Sequence, residues 1–260
     1  SETYFGGSYD KGEAHCHPLN YALGIAQAAL SANAKIYENS AVSSYDLSNN
    51  HVKVNTKSGS VKADRVVLAC NGYLGNLEKR LNSKLLPMNN YIVATKPLDT
   101  ETVAKINPRD IAFADSRFVI NYFRLSADKR LLFGGGENYS QELSNDILPI
   151  VTKPLEKIYP FLSGVKIDYA WGGKLAITMN RLPFYKEMNK GKVLSAQGYS
   201  GQGVALASYA GKVISEKITG DGEIFDIMAN IPMQSFPGGR FLRNPTMRVG
   251  MFYHALLDRL

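Results

Sequence analysis

The order of apolar and polar positions divides this 260-residue chain into stretches of different texture. Residues 18–32, "PLNYALGIAQAALSA", predict a helix whose Leu19, Leu23, Ala26 and Leu30 form one apolar stripe. Pro18 suits a first helical position, and Asn33 supplies a stop. Short strands are expected at 35–37 and 41–47. The stretch "HVKVNTKSGSVKADRVVLA" then alternates around Ser58-Gly59, which signals a hairpin. It leads into "RVVLA" at 65–69, a continuous apolar run that suits a strand buried on both faces of a parallel sheet. "CNGY" at 70–73 ends it in a turn.

From about residue 86 the pattern changes. "MNNYIVATKPL", "FVINYFRLS" and "RLLFGGG" read as longer strands, with no helical pattern before "ILPIVTKPLEKIYPF" at 147–161. "VKIDYAWGGKLAI" returns as a strand. A second buried strand at 192–196 runs through "QGYSGQG" into a helix over 204–218, and the tail 241–260 holds another short helical segment. Two parallel-type strands, 65–69 and 192–196, thus bracket an antiparallel insert. The class is mixed, α/β or α+β, with two lobes.

Composition narrows the function classes only a little. Hydrophobic residues make up 45% and charged residues 20%, ordinary for a soluble globular protein. The formal net charge of +7 raises nucleic acid as a partner, but the 30 Lys and Arg are scattered, with no dense basic run. No nucleic-acid partner is therefore expected. No apolar run is long enough to span a bilayer, and the apolar tail "MRVGMFYHALLDRL" supports peripheral association at most. No basic segment followed by an apolar stretch opens the chain, and "SETYFGG" reads as mid-chain sequence. The two cysteines, Cys16 and Cys70, lie far apart, which fits a reducing, cytoplasmic setting better than a disulfide framework.

Four stretches carry candidate chemistry. In "GYSGQGVALASYAG" a buried strand ends in a glycine-rich turn at a helix mouth. Free N–H groups at such a terminus attract negative charge, and glycines there allow close approach of a ligand to the backbone. Gly203, Ala207 and Gly211, four apart, are expected to press the helix against a sheet. The same pattern also occurs in a helix that merely packs tightly, and the motif alone leaves both open. "LACNGY" is a second strand-end turn, in which Asn71 can donate a hydrogen bond and Gly72 permits a close approach, although an ordinary strand-to-helix turn reads the same way. "LLFGGGEN" places three glycines at a strand end, and upstream Tyr122 and Arg124 share one strand face. "HCH" aligns His15 and His17, but a metal site needs three or four ligands, so no metal is expected.

Together these stretches resemble the D-amino-acid-oxidase-like, FAD-dependent oxidoreductases, in their gamma-glutamylputrescine oxidase-like branch. The resemblance rests on "HPLNYALGIAQAA", "VKADRVVLACNGYLG", "MNNYIVATKPL", "NYFRLSADKRLLFGGGENY", "DYAWGGKLAITMNRLP", "AQGYSGQGVALA" and "IPMQSFPGG", in family order over nearly the whole chain. It implies part of an FAD/NAD(P)-binding Rossmann-like lobe with an inserted antiparallel substrate lobe. The expected divisions are 18–75 for an incomplete FAD-binding lobe, 76–175 for the substrate lobe (which residues 1–17 join), 176–225 for the return to the first lobe, and 226–260 for a tail. The strand, G-x-G-x-x-G turn and helix that open family members do not precede Ser1, so the chain resembles the C-terminal part of such an enzyme.

The resemblance also assigns roles. Val42 corresponds to the segment that meets the adenine side of FAD. Asn71 and Gly72 match a strand-end turn near the cofactor. Gly198, Tyr199, Ser200, Gly201, Gln202 and Gly203 match the loop and helix start that face the flavin's pyrimidine edge, where a helix N-terminus stabilises negative charge. Tyr122, Arg124, Trp171 and Lys174 are the implied substrate contacts. Amino-acid oxidases of the family carry a carboxylate-clamping arginine in a "GLRP"-like stretch. Here "WGGKLA" stands there, with Leu175 about where the arginine would be. An amine substrate, with Arg124 or Lys174 meeting a distal carboxylate, fits this departure better than a simple α-amino acid. The function implied is hydride transfer from an amine to FAD in the full-length protein, joined to its missing N-terminal part. The rival from another class is a non-catalytic fragment that acts as a binding module.

Overall fold

The computed structural model describes residues 3–48, 50–117, 119–138 and 142–239, together with Leu242, Arg243, Pro245 and Val249 of the tail. The tail helix expected over 241–260 falls largely outside the described residues. The chain divides into two compact units, one built from Ser1–Ala22 and Met88–Lys174, the other from Leu23–Pro87 and Leu175–Thr246.

In the first unit a five-stranded sheet has the order β6-β7-β8-β5-β9. Its strands are β5 (Leu86–Thr95), β6 (Phe113–Ala114), β7 (Tyr122–Leu125), β8 (Leu131–Asn138) and β9 (Ile167–Ile177). One face is closed by helix α4 (Leu148–Ile158), whose Val151, Leu155 and Ile158 are buried against Tyr91, Val93, Phe123, Leu131 and Phe133. Tyr122, Arg124, Leu132 and Ile92 alternate onto the other face, which stays half-buried. The β7 strand covers only the second half of "FVINYFRLS", because Asn121 leaves the ladder for Asp115: its amide and side-chain Nδ2 both donate to that carboxylate. Helix α3 (Thr100–Ile106) was not expected. Asp99 caps it, accepting from the Thr102 amide at 2.8 Å, and so nucleates a helix too short for a visible apolar stripe.

The second unit holds two three-stranded sheets. One is the antiparallel meander β1 (Val42–Leu47), β2 (Val52–Thr56) and β3 (Ser60–Ala63), with the predicted hairpin at Ser58-Gly59. The other has the order β10-β11-β4, with β4 (Val66–Leu68) parallel to β11 (Val193–Gln197) and β10 (Phe184–Met188) antiparallel to it. β11 is buried along its whole length. Helix α5 (Gly203–Thr219) packs Ala210, Val213 and Ile214 onto Tyr185, Leu194 and Ala196 of β10 and β11, and α6 (Glu223–Ala229) adds Phe225. On the opposite face Leu68, Val193, Ala176 and Phe184 meet Leu74, Leu81 and Leu85. Short helix α2 (Lys79–Asn82) lies in this layer.

Four expectations change here. β4 is not buried on both faces: α5 packs its buried side chains on β10 and β11, and Val67 stays 39% exposed. Residues 35–37 form no strand, since no neighbouring strand pairs with them among the described residues. The small-residue face of α5 does not press on a sheet. Ala207 and Gly211 are exposed, and a Cβ at Gly211 would meet nothing within 4 Å. The helix turns its larger apolar side chains inward instead, since they remove more apolar area from water. Finally, helix α1 (Pro18–Ser31) forms as expected, with Asn33 left-handed at its end (φ 64°), yet it buries no residue.

Candidate functional site

The junction of β11 and α5 gathers most of the predicted positions. Gly198 sits at φ 76°, and a Cβ there would lie 2.5 Å from Thr178 Cγ2 and 2.9 Å from Leu85 Cδ2. Only glycine fits both the backbone and the space. Tyr199 is buried and donates its hydroxyl to the Ala196 carbonyl at 2.9 Å. Burial pushes that phenol up to about 12. Ser200 is left-handed at φ 51°, and its amide donates to the Ala176 carbonyl at 3.0 Å. Strain of this kind persists where surrounding contacts hold it, and it is characteristic of functional loops. The loop is therefore fastened to the end of β9 on one side and anchored by Tyr199 on the other.

What it presents outward is bare backbone. Gly201, at φ 97°, has nothing within 4 Å of a Cβ position, and Gln202, the α5 N-cap, makes no side-chain cap hydrogen bond. No acidic residue stands in the first turn of α5. The opening amides of a 17-residue helix thus stand uncapped by any side chain next to the open Gly201.

The turn after β4 joins this loop. Asn71 opens a short 3₁₀ turn, Asn71–Tyr73, at φ 46°, and its Oδ1 accepts from the Gly198 amide at 3.0 Å. The side chain therefore serves as an acceptor that ties the two strand-end turns together. Gly72 is buried beside it. Beneath them runs a polar chain that sequence reasoning missed. Gln197 Nε2 donates to Ser195 Oγ at 2.7 Å, which donates to the Leu68 carbonyl at 3.2 Å. Gln197 is fully buried, and its Oε1 meets no donor among the described residues. A buried acceptor left unmatched at the carboxyl ends of two parallel strands marks a place for a ligand's donor. Val42 lies elsewhere in the unit, opposite Thr56 at an irregularity of the β1–β2 ladder.

The predicted substrate residues all belong to the other unit. Tyr122 stands opposite Gly134, and its ring occupies the space a Gly134 Cβ would need. Its hydroxyl donates to Asn90 Oδ1. Arg124 donates from Nη2 to the Cys16 carbonyl at 2.8 Å and from Nη1 to the Leu125 carbonyl at 3.2 Å. Trp171 is exposed on β9, and strand alternation points Lys174 to the opposite face from it. The "HCH" segment is held piecewise: His15 Nε2 bonds the Asp110 carbonyl at 3.0 Å, Arg124 holds Cys16, and His17 Nδ1 accepts from the Asn20 amide at the start of α1. Among the described residues no group of three His, Cys, Asp or Glu converges on a metal-sized space, and no helix is long and apolar enough to cross a membrane. Both cysteines are free thiols.

An uncapped helix N-terminus, an open glycine beside it and an unmatched buried acceptor suit a ligand with an electron-rich edge and hydrogen-bond donors. That description fits a flavin. The profile of the DAO family, FAD dependent oxidoreductase, matches residues 1–217. The chain belongs to this family. Family members are FAD-dependent, and the chain's fold is the mixed α/β fold of solved flavoenzymes. A glycine oxidase from Geobacillus kaustophilus superposes at a TM-score of 0.62 with 20% identity, over 76% of this chain and 53% of that one. An L-proline dehydrogenase from P. horikoshii gives 0.62 with 24% identity, over 78% and 55%. Among curated relatives, a probable oxidoreductase, OrdL, of Rhizobium meliloti is 39% identical across 100% of this chain and 60% of its own length. A gamma-glutamylputrescine oxidoreductase of Escherichia coli is 38% identical across 100% of this chain and 61% of its own. The chain thus spans about three fifths of the length of these relatives.

Proposed function

We propose that the whole protein is an FAD-dependent amine oxidase or dehydrogenase, acting on gamma-glutamylputrescine or a related primary or secondary amine. The carrying observation is the β11–α5 junction, where Gly198 cannot be replaced without a clash and the opening helix amides stand uncapped by any side chain. FAD, when bound, supplies the acceptor for a hydride leaving the carbon beside the amine nitrogen. The resulting imine hydrolyses to an aldehyde and a released amine. The amides at the start of α5 would stabilise negative charge on the cofactor's edge. Asn71 keeps that loop in place through its bond to Gly198. Tyr122, Arg124 and Trp171 are the substrate contacts in this reading, Lys174 standing on the other face of β9 from Trp171, and a substrate bound as the neutral amine needs no dedicated general base. Leu175 in place of a clamping arginine supports an amine over a simple α-amino acid, as does the activity for which the Escherichia coli relative is named. The free thiols support a cytoplasmic setting.

A further segment of the same protein completes the FAD-binding lobe in this reading. The uncovered stripe of α1 and the unpaired outer edge of β4 among the described residues support it, as does the greater length of the relatives. The same surfaces support a second reading, in which the 260 residues act as a binding module without catalysis.

The full-length protein is expected to purify yellow and to bleach anaerobically with gamma-glutamylputrescine. A colourless full-length protein with no extractable FAD overturns the enzyme reading. For the 260-residue chain by itself, titration with FAD is expected to show weak or no binding.

A further inference from the structure

The triple glycine 134–136 has a role that the flavin site does not use. In the β5–β8 ladder Ile92 pairs with Gly134, while Asn90 pairs with Glu137, so β8 carries one extra residue between these pairs. Such a bulge bends a strand and re-aims neighbouring side chains. Each glycine answers a separate demand. A Cβ at Gly134 would strike the Tyr122 ring, and one at Gly135 would lie 2.6 Å from Asn121 Oδ1. Gly136 is left-handed at φ 70°, where a Cβ would strike the Ile150 carbonyl oxygen. The result is a Tyr122 ring laid flat across β8 with its hydroxyl delivered to Asn90 Oδ1.

We infer that Asn90 is a positioning residue that turns the Tyr122 hydroxyl into a hydrogen-bond acceptor for the N–H of an amine ligand. A tyrosine hydroxyl has one proton, and here Asn90 takes it. Toward a ligand on this half-buried face of the sheet, the Tyr122 oxygen then acts through its lone pairs. It favours a ligand that donates, as an amine does, and disfavours a ligand carboxylate at that point. The carboxylate end of a ligand belongs nearer the cationic Arg124, two residues along the same face. The selectivity for an amine end thus comes from a neutral pair held by the bulge, without a charged clamp.

This inference rests on the amine reading above, and its test separates the two. The full-length flavoprotein is mixed anaerobically with gamma-glutamylputrescine, and half-saturation is read apart from the limiting rate of flavin reduction. Asn90→Leu and Tyr122→Phe are each expected to raise half-saturation about tenfold, the worth of one hydrogen bond, with little change in limiting rate. The Asn90→Leu/Tyr122→Phe double variant is expected to be no worse than Tyr122→Phe alone. Asn90→Asp, which keeps the acceptor oxygen, is expected to stay close to the parent. Asn90→Ala runs in the same cycle, so that a misfolded leucine variant leaves the comparison intact, and each variant's flavin spectrum reports its folding. Unchanged half-saturation in the Asn90 variants, or effects that multiply in the double variant, overturns the inference. A parent that binds the amine calorimetrically without flavin reduction overturns the amine-oxidation reading instead, and the cycle is then read on binding. Absence of binding by the parent overturns both.

Discussion

Helices α1 and α5 look alike in sequence and behave in opposite ways. Both are long, rich in Ala and other aliphatic residues, and free of proline beyond the first residue. α5 buries Ala210, Val213 and Ile214 against β10 and β11, while α1 leaves Leu19, Leu23, Ile25 and Leu30 between 46% and 61% exposed. The difference lies in what stands opposite each helix. Apolar periodicity states that a helix has a face to bury, and only a packed neighbour states that it is buried. Even within α5 the buried face is not the one its glycine spacing suggested, because the Leu206–Ala210–Val213 side removes more apolar area from water than the Gly203–Ala207–Gly211 side.

The largest expected effect tests that contrast directly. Val213→Asp places an unpaired charge in a fully packed cluster and is expected to lower the stability of this chain by more than about 3 kcal/mol in urea unfolding. Leu23→Asp in α1 is expected to change it by less than about 0.5 kcal/mol, because that side chain is already in water. A large loss from Leu23→Asp would show that α1 has a partner in solution.

Glycines sharpen the comparison at the next scale. Gly198→Ala forces a left-handed residue against Thr178 and Leu85, with an expected cost of about 2 kcal/mol. Its FAD affinity in the full-length protein is expected to fall with it. Gly211→Ala, on the open side of the same unit's helix, is expected to stabilise this chain by about 0.5–1 kcal/mol, since only backbone entropy changes. Equal effects at the two positions in thermal melts would contradict the geometry.

The smallest expected effect is a pH dependence. Tyr199 has its pKa raised to about 12 from an ordinary value of 10.0, chiefly by burial. Below pH 10 both folded and unfolded chains hold the proton, so its contribution is intact there. Between pH 10 and about 12 the unfolded chain binds fewer protons than the folded one, and stability falls. Tyr199→Phe is expected to flatten that alkaline decline in denaturation curves taken from pH 9 upward.

Local features of the fold were legible because they follow from short-range chemistry. The hairpin at Ser58-Gly59, the stop at Asn33 and the strand–turn–helix unit at 193–219 each depend on residues within a few positions of one another. The helix α3 could have been found from Asp99 and the threonine three residues on, a capping pattern independent of any apolar stripe. The candidate flavin loop was legible in outline, from its glycines. Its fastening was not: the Asn71–Gly198 bond joins residues 127 apart, and the Tyr122–Asn90 bond joins residues 32 apart across a bulge.

The sequence by itself determined most of the helices and strands, the turns between them, and which family the chain resembles. Those properties reside in single residues and their near neighbours, through propensity, steric freedom and spacing. The tertiary structure alone decided which face of α5 is buried, why three successive glycines stand in β8, and that Asn71 and Asn90 act as fasteners. Each of these is a contact between distant segments, whose free energy exists only once strand order and register bring the partners within hydrogen-bond or van der Waals reach.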